Sequence, residues 1–349
     1  MPGRRRPAAP SRRPLAALTL VLLLALLAGC GGAGDALPES ASAPAPAEGP
    51  AAAAVGAAGS PFWVDPRSEA ARQVAAWEAQ GRYDDAQVLR RIADRPLALW
   101  VPGDPGPGVR RAAAAARAAG KVLVLAAHNL PRRACGRQPA GGARDARAYR
   151  SWTAALAAAV GDARALVVLE PGALAQAVDG CTGPEGPTGR YRLLAEAVDR
   201  LKENRNTRVY LDAGGPDRVA DPRRLAEPLR TSGLARADGF ALNVSGFRPD
   251  AAVRAYGAAL SAAADGAHFV LDTGRNGEGP PPAGGPQASC NPPGRALGAP
   301  PTTDTGDPLV DAFLWVARPG LSDGPCRGGP QAGHWWPEYA LGLARRSRE

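Results

Sequence analysis

Leu166-Val-Val-Leu-Glu170-Pro171-Gly172-Ala-Leu-Ala175 is the stretch whose reading decides the fold. Four aliphatic residues run into Glu-Pro-Gly. Proline cannot donate to a strand ladder and glycine opens a turn, so the run ends there. A short apolar run bounded by such a stop reads as a strand buried on both faces, the pattern of parallel sheets. The position after Pro171 then lies at the C-terminal mouth of that strand.

Working outward, the same pattern recurs. Apolar runs at 97–101, 121–127, 165–169, 207–211, 239–243, 268–272 and 312–316 alternate with helical periodicity at about 66–94, 107–119, 146–160, 190–202, 222–231, 250–264 and 337–345. Strands alternating with helices predict a parallel sheet of βα units. Seven in one continuous alternation favour a closed or nearly closed α/β barrel in a single domain over an open doubly wound sheet. No glycine-rich phosphate loop follows the first strand, which counts against the dinucleotide-binding alternative. In a barrel, chemistry sits at the C-terminal strand ends. Here those are Trp100, His128, Gly172, Asp212, Asn243, Asp272 and the 317–323 loop. The Pro- and Gly-rich segment 273–308 is expected to cover the same face as a fixed lid.

The N-terminus carries a different message. Arg4, Arg5, Arg6, Arg12 and Arg13 precede a Leu/Ala/Val run over 15–28, the secretory pattern of basic head and short apolar segment. Leu27-Ala28-Gly29-Cys30 resembles a lipobox, which predicts cleavage before Cys30 and a lipid on its thiol. Arg12-Arg13 fits a twin-arginine export signal. Residues 31–59, rich in Ala, Pro, Gly and Ser, cannot bury a core and read as a tether. The expectation is an exported lipoprotein on the outer face of the cell membrane, the alternative a secreted protein.

The net charge of +9 falls to about 9 − 5 = +4 once the five arginines of residues 1–30 are removed. No basic stripe is interleaved with aromatics, so nucleic acid is not an expected partner. Four cysteines remain for the exported domain, Cys135, Cys181, Cys290 and Cys326. An even count outside the cytoplasm favours two disulfides, with three connectivities open. No CxxC or His-x-His spacing supports a metal site, no cofactor is implied, and a monomer is expected.

Several segments carry a family resemblance. Tyr149-Arg-Ser-Trp152, Tyr210-Leu-Asp-Ala-Gly214, Gly239-Phe-Ala-Leu-Asn-Val-Ser245, Asp272-Thr-Gly-Arg-Asn-Gly277, Cys290-Asn-Pro-Pro-Gly-Arg-Ala-Leu-Gly298, Thr305-Gly-Asp-Pro-Leu-Val-Asp311 and Trp335-Trp-Pro-Glu-Tyr-Ala-Leu341 resemble glycoside hydrolase family 6, over nearly all of 60–349. That family comprises inverting β-1,4-glucanases and cellobiohydrolases. The resemblance implies a distorted seven-stranded TIM-like barrel, disulfides Cys135–Cys181 and Cys290–Cys326, and β-glucan or another envelope polysaccharide as partner.

It also implies a damaged catalytic apparatus. An inverting glycosidase protonates the leaving oxygen with one carboxylic acid while a second carboxylate assists water. Where the family signature has its acid after Glu-Pro, this chain has Gly172. The helper aspartate of Tyr-x-x-Pro-x-Arg-Asp-Cys is Ala134, and the tyrosine is His128. In the last loop the family's Lys and Glu are Ala317 and Leu321, while Asp323 keeps the proposed base position. Gly215, Arg218 and Ser289 replace further sugar contacts. Trp100, Trp315, Asn243 and Asp272 are candidate substrate-binding residues, and His128 is a candidate replacement acid because an ordinary imidazole titrates near neutrality. Glu170 reads as structural. The expected function is a tethered, catalytically impaired, glycan-binding barrel. The alternatives are an active glucanase working through Asp323 with a replacement acid, and an envelope scaffold.

Overall fold

The computed structural model describes residues 60–133, 141–182, 186–282 and 288–347. The expected export segment with Cys30, the expected tether at 31–59, Ala134 and Cys135 therefore lie outside the described residues. Seven strands, β1 (Leu99–Val101), β2 (Leu123–Ala127), β3 (Ala165–Leu169), β4 (Thr207–Asp212), β5 (Gly239–Leu242), β6 (Phe269–Asp272) and β7 (Val310–Leu314), pair in chain order. Every pairing is parallel. The ladder curls without pairing β7 to β1. Instead the Ala98 N–H donates to the Trp315 carbonyl at 3.1 Å and the Trp100 indole N–H to the Val316 carbonyl at 2.7 Å. The result is the expected nearly closed barrel.

Side-chain alternation sorts the strand residues into two cores. Val124, Ala126, Leu166, Val168, Tyr210, Ala241, Val270, Ala312, Leu314 and Val316 fill the interior, with Phe62 packed against them. Their neighbours Leu123, Leu125, Val167, Leu169, Leu211, Leu242 and Leu271 face outward into the helical layer. Each outward leucine is essentially fully buried, worth about 1.5–3 kcal/mol of burial apiece.

That layer comprises α3 (Gly106–Ala118), α4 (Ala146–Val160), α5 (Ala173–Val178), α6 (Gly186–Lys202), α7 (Ala226–Thr231) and α8 (Asp250–Ala263), while α1 (Glu69–Ala79), α2 (Tyr83–Ala93) and α9 (Pro337–Arg346) form a separate helical cluster. Capping fixes the helix starts. Ser68 Oγ accepts from the Ala71 N–H at the head of α1, and Asp145 from the Ala148 N–H at the head of α4, each worth about 1 kcal/mol.

Three expectations are corrected. The helical pattern at 66–94 is two helices, broken where Gly81 turns left-handed at φ 74°. The last strand sits two residues earlier than 312–316. The 273–308 segment does not lie wholly over the strand ends. Its later half descends the outer wall, where Leu297 packs with Trp315 and Leu343, and Thr302 forms an antiparallel bridge to Phe313.

Candidate active site at the strand ends

Inward alternation carries Trp100, Glu170, Asp212, Asn243 and Asp272 to one end of the barrel. Three residues there, or up to two residues beyond, adopt left-handed backbone, Glu170 at φ 53°, Asn243 at 63° and Ser245 at 61°. Such strain outside glycine persists only where side chains over-determine it. Glu170 shows how. Its carboxylate accepts the N–H groups of Asn129 and Leu130 at 2.9 and 3.0 Å, tying the loop after β2 to the end of β3. Burial pushes this carboxyl up to about 7, against the pull of those two N–H groups and the Tyr149 hydroxyl. Glu170 is a structural clamp, as its position suggested.

His128 stands beside it, with Nδ1 3.8 Å from Glu170 Oε2, too far for a hydrogen bond. Burial, and then the Arg133 charge, hold its imidazole down at about 4. A neutral imidazole at pH 6–7 has no proton of the right acidity to give a leaving oxygen. This environment disfavours the replacement-acid role expected for His128.

At the acid position Gly172 is left-handed, φ 83° and ψ −9°, and opens α5. Its N–H donates to Asp212 Oδ2 at 2.5 Å. A Cβ added there would lie 3.2 Å from Gln176 Nε2, so an amide borders the space an acid side chain would enter. The Gln176 carbonyl oxygen in turn accepts from Arg190 at 3.2 Å. Asp212 is 2% exposed, and its Oδ1 has no hydrogen-bond partner among the described residues. Burial pushes its carboxyl up to about 7, against the N–H groups of Gly172 and Gly214 and the Arg218 charge.

Asp323 is built differently. Both carboxylate oxygens accept from Arg275 Nη1 at 2.9 Å, and Oδ2 also accepts the Asn291 N–H at 3.0 Å. Asn291 Oδ1 accepts the Asp323 N–H at 2.7 Å, closing the pair in both directions. Arg275 is buried, donates through Nη2 to the Ser245 carbonyl, and stacks 4.6 Å over Phe247. The Cys290–Cys326 disulfide staples the two loops that meet here, as expected. Cys181 is disulfide-bonded, and Cys135 lies outside the described residues.

Asp272 and Asn243 are brought to this end but are used up by the protein. The Asp272 carboxylate accepts four backbone N–H groups, from Ser245, Gly274, Val316 and Ala317. Asn243 Nδ2 donates to the Asp272 and Arg248 carbonyls, and its Oδ1 accepts the Arg248 N–H. With these groups satisfied internally, both residues brace the loops after β5, β6 and β7, which corrects their expected substrate contact. Ala317 contributes only its backbone, and Leu321 pairs with Trp335 in an antiparallel bridge.

The two tryptophans separate. Trp100 faces inward, half-buried, edge-on to His128 at 5.3 Å. Trp315 faces outward into the cluster of α1, α2 and α9, 3% exposed, its indole N–H on the Ala299 carbonyl. Its expected sugar contact is corrected: the alternation that puts Leu314 and Val316 inside puts Trp315 outside.

Sequence reasoning missed Arg275 and Asn291, although both stand inside the motifs Asp272-Thr-Gly-Arg-Asn and Cys290-Asn-Pro-Pro. The signal was a lone arginine in a segment otherwise buried, which demands an acidic partner.

Comparison with known proteins agrees with this architecture. The profile of Glycosyl hydrolases family 6 matches residues 57–347. Endoglucanase A of Cellulomonas fimi is 38% identical over 292 residues, covering 82% of this chain, and the chain spans 61% of that protein's length. Endoglucanase 1 of Streptomyces halstedii is 38% identical over 291 residues, covering 80% of this chain and 87% of its own. Among solved structures, endoglucanase Cel6 of Mycobacterium tuberculosis, in complex with methyl-cellobiosyl-4-deoxy-4-thio-β-D-cellobioside, superposes with a TM-score of 0.75. It is 42% identical and covers 82% of this chain and 97% of its own.

Proposed function

This chain belongs to glycosyl hydrolase family 6, and from that premise we propose that it is a membrane-tethered β-1,4-glucan-binding member whose hydrolysis is crippled at proton donation. One observation carries the reading. The acid position is a left-handed glycine bordered by an amide, with no titratable side chain of its own. A positioned general acid contributes about 10²–10⁴-fold, or roughly 3–5 kcal/mol of barrier. Neither neighbour replaces it simply, since His128 is neutral near pH 6–7 and Glu170 is committed to two backbone N–H groups. Asp323 remains to assist water, without a partner acid.

The half-buried Trp100 and the family's established glucan relatives support retained glycan binding. The lipobox at Leu27–Cys30 supports the tether. The test is turnover of a soluble β-1,4-glucan and an aryl cello-oligosaccharide. We expect no turnover that depends on Asp323, together with a rise in melting temperature on adding cellotetraose. Turnover abolished by Asp323→Ala would sink the crippled reading. Absence of any oligosaccharide shift would leave an envelope scaffold. Labelled palmitate carried by the native chain and lost in Cys30→Ser tests the tether.

A second reading keeps slow hydrolysis and takes the proton from Asp212. It is favoured by one contact, the Asp212 carboxyl against the Gly172 N–H, on a group protonated up to about pH 7. Residual turnover that disappears in Asp212→Asn while the melting temperature holds would select it.

A further inference from the structure

We propose that the cavity between the 291–295 loop and α9 binds an anionic saccharide, an oligosaccharide carrying hexuronate carboxylates. The site adjoins the Asp323 edge of the strand-end face through Asn291 and is otherwise lined by residues that face does not use. Its volume of about 340 Å³ lies within the ordinary range for small-ligand pockets, roughly 300–1,000 Å³.

Charge sets the ligand class. Arg295, Arg327 and Arg346 line the cavity against a single carboxylate, Glu338. Neutral β-glucan offers three guanidinium groups only uncharged hydroxyl and ring oxygens, whereas a planar carboxylate pairs with the guanidinium fork in two parallel, charge-assisted hydrogen bonds. Each arginine is anchored at one end and leaves other donors over. Arg295 spends Nε and Nη1 on the carbonyls of Pro293, Glu278, Gly279 and Pro280. Arg327 spends Nε on the Cys290 carbonyl, and Arg346 spends Nη1 on the Gly342 carbonyl. Anchoring of this kind lowers the entropy lost when a ligand pairs with the remaining N–H groups.

The aromatic wall indicates a ring. Trp336 and Tyr339 stack with centroids 5.5 Å apart and planes 23° from parallel, and both line the cavity. Trp336 is held rigid where the Gly329 backbone approaches so closely that a Cβ would lie 2.8 Å from its ring. Arg327, next to the stapled Cys326, is left-handed at φ 54°, the kind of non-glycine strain that collects at ligand clamps. An aromatic pair in the wall beside partly anchored guanidinium groups fits a pyranose bearing a carboxylate.

The test is calorimetric titration of the lipid-free mature chain with digalacturonate, with cellobiose and inorganic phosphate as controls, at low and physiological salt. Digalacturonate should bind, more weakly at higher salt. The exposed double variant Arg327→Gln/Arg346→Gln should weaken it by about tenfold or more, the worth of one charge-assisted hydrogen bond. Trp336→Phe, which keeps the stack, should weaken it less. No binding of digalacturonate overturns the proposal, as does binding untouched by the double variant. Equal binding of cellobiose or of phosphate alone overturns it too. Cellotetraose at the strand-end face should respond to none of these changes, so failure of one site leaves the other readable.

Discussion

The backbone N–H of Gly172 donates to the Asp212 carboxylate across 2.5 Å. The chain thus presses a carboxyl against the acid position without carrying one on it. If the missing side chain is what blocks hydrolysis, Gly172→Asp should return it. Turnover of an aryl cello-oligosaccharide should rise by about 10²-fold or more. Stability should fall, because φ 83° costs an L-residue about 1 kcal/mol, less for aspartate than for most, and the new Cβ meets Gln176 Nε2 at 3.2 Å. A folded Gly172→Asp variant with no gain in rate would place the block elsewhere, in Ala317, Leu321 or the lost helper at Ala134.

Stability should also depend on pH in a direction set by the buried carboxyls. Glu170 and Asp212 are both raised to about 7 by burial, and Asp272 is raised for the same reason. Unfolded, each would titrate near 4. Between those values the folded chain holds more protons than the unfolded one, so stability falls as pH rises. The contribution of Glu170 and Asp212 is full below about 4 and lost as the pH passes about 7, and Asp272 acts in the same direction. Thermal unfolding should therefore show a higher melting temperature at pH 5 than at pH 8, and Asp212→Asn should flatten the difference. The opposite slope would mean that these carboxyls are ionised in the folded state throughout.

How much of this was legible in the sequence depends on what each feature rests upon. All seven strands could be read because parallel strands buried on both faces appear as unbroken aliphatic runs, as in Leu123–Ala127 and Ala165–Leu169. The same property hid which face was which. Phe313 and Trp315 are as apolar as Leu314 and Val316, so alternation alone could not tell sugar platform from core. The break at Gly81 was masked because Trp77 and Leu89 join one cluster on either side of it. Gly172, Ala134 and Asp323 stood out because a carboxylate chemistry was expected at those positions. Arg275 with Asp323, and Asp212 with Gly172, are pairings 48 and 40 residues apart. Parallel pairing of neighbouring strands, β3 with β4 and β6 with β7, brings them together.

Arg275 is the counter-charge that holds Asp323, and its removal should be felt in the fold before any chemistry. It donates to both Asp323 oxygens and to the Ser245 carbonyl from a position 3% exposed. Arg275→Leu leaves a partly buried carboxylate and a carbonyl without that donor. With Asp323 a quarter exposed, the loss should be about 2–4 kcal/mol, below the top of the range for a buried pair. Arg275→Lys keeps the charge but not the fork, and should recover only part of the loss. Chemical denaturation of the three proteins checks the order native, Lys, Leu. Equal stability of all three would mean that the pair contributes nothing to the fold.

The two tryptophans give the sharpest separation of core from site. Trp315 lies outside the barrel with Leu89, Leu297 and Leu341, so Trp315→Ala should cost about 3–5 kcal/mol as a cavity mutation. The melting-temperature shift caused by cellotetraose should persist in that variant. Trp100 points to the strand ends, half-buried against His128, with its indole N–H bridging to the Val316 carbonyl just past β7. Trp100→Phe keeps most of the packing and loses that bridge and the broad indole face. It should cost less stability than Trp315→Ala and diminish the cellotetraose shift. Unfolding curves with and without the oligosaccharide decide between them. If Trp315→Ala abolished the shift while Trp100→Phe preserved it, the assignment of the inner and outer faces at the β7–β1 seam, and with it the glycan-binding face, would be wrong.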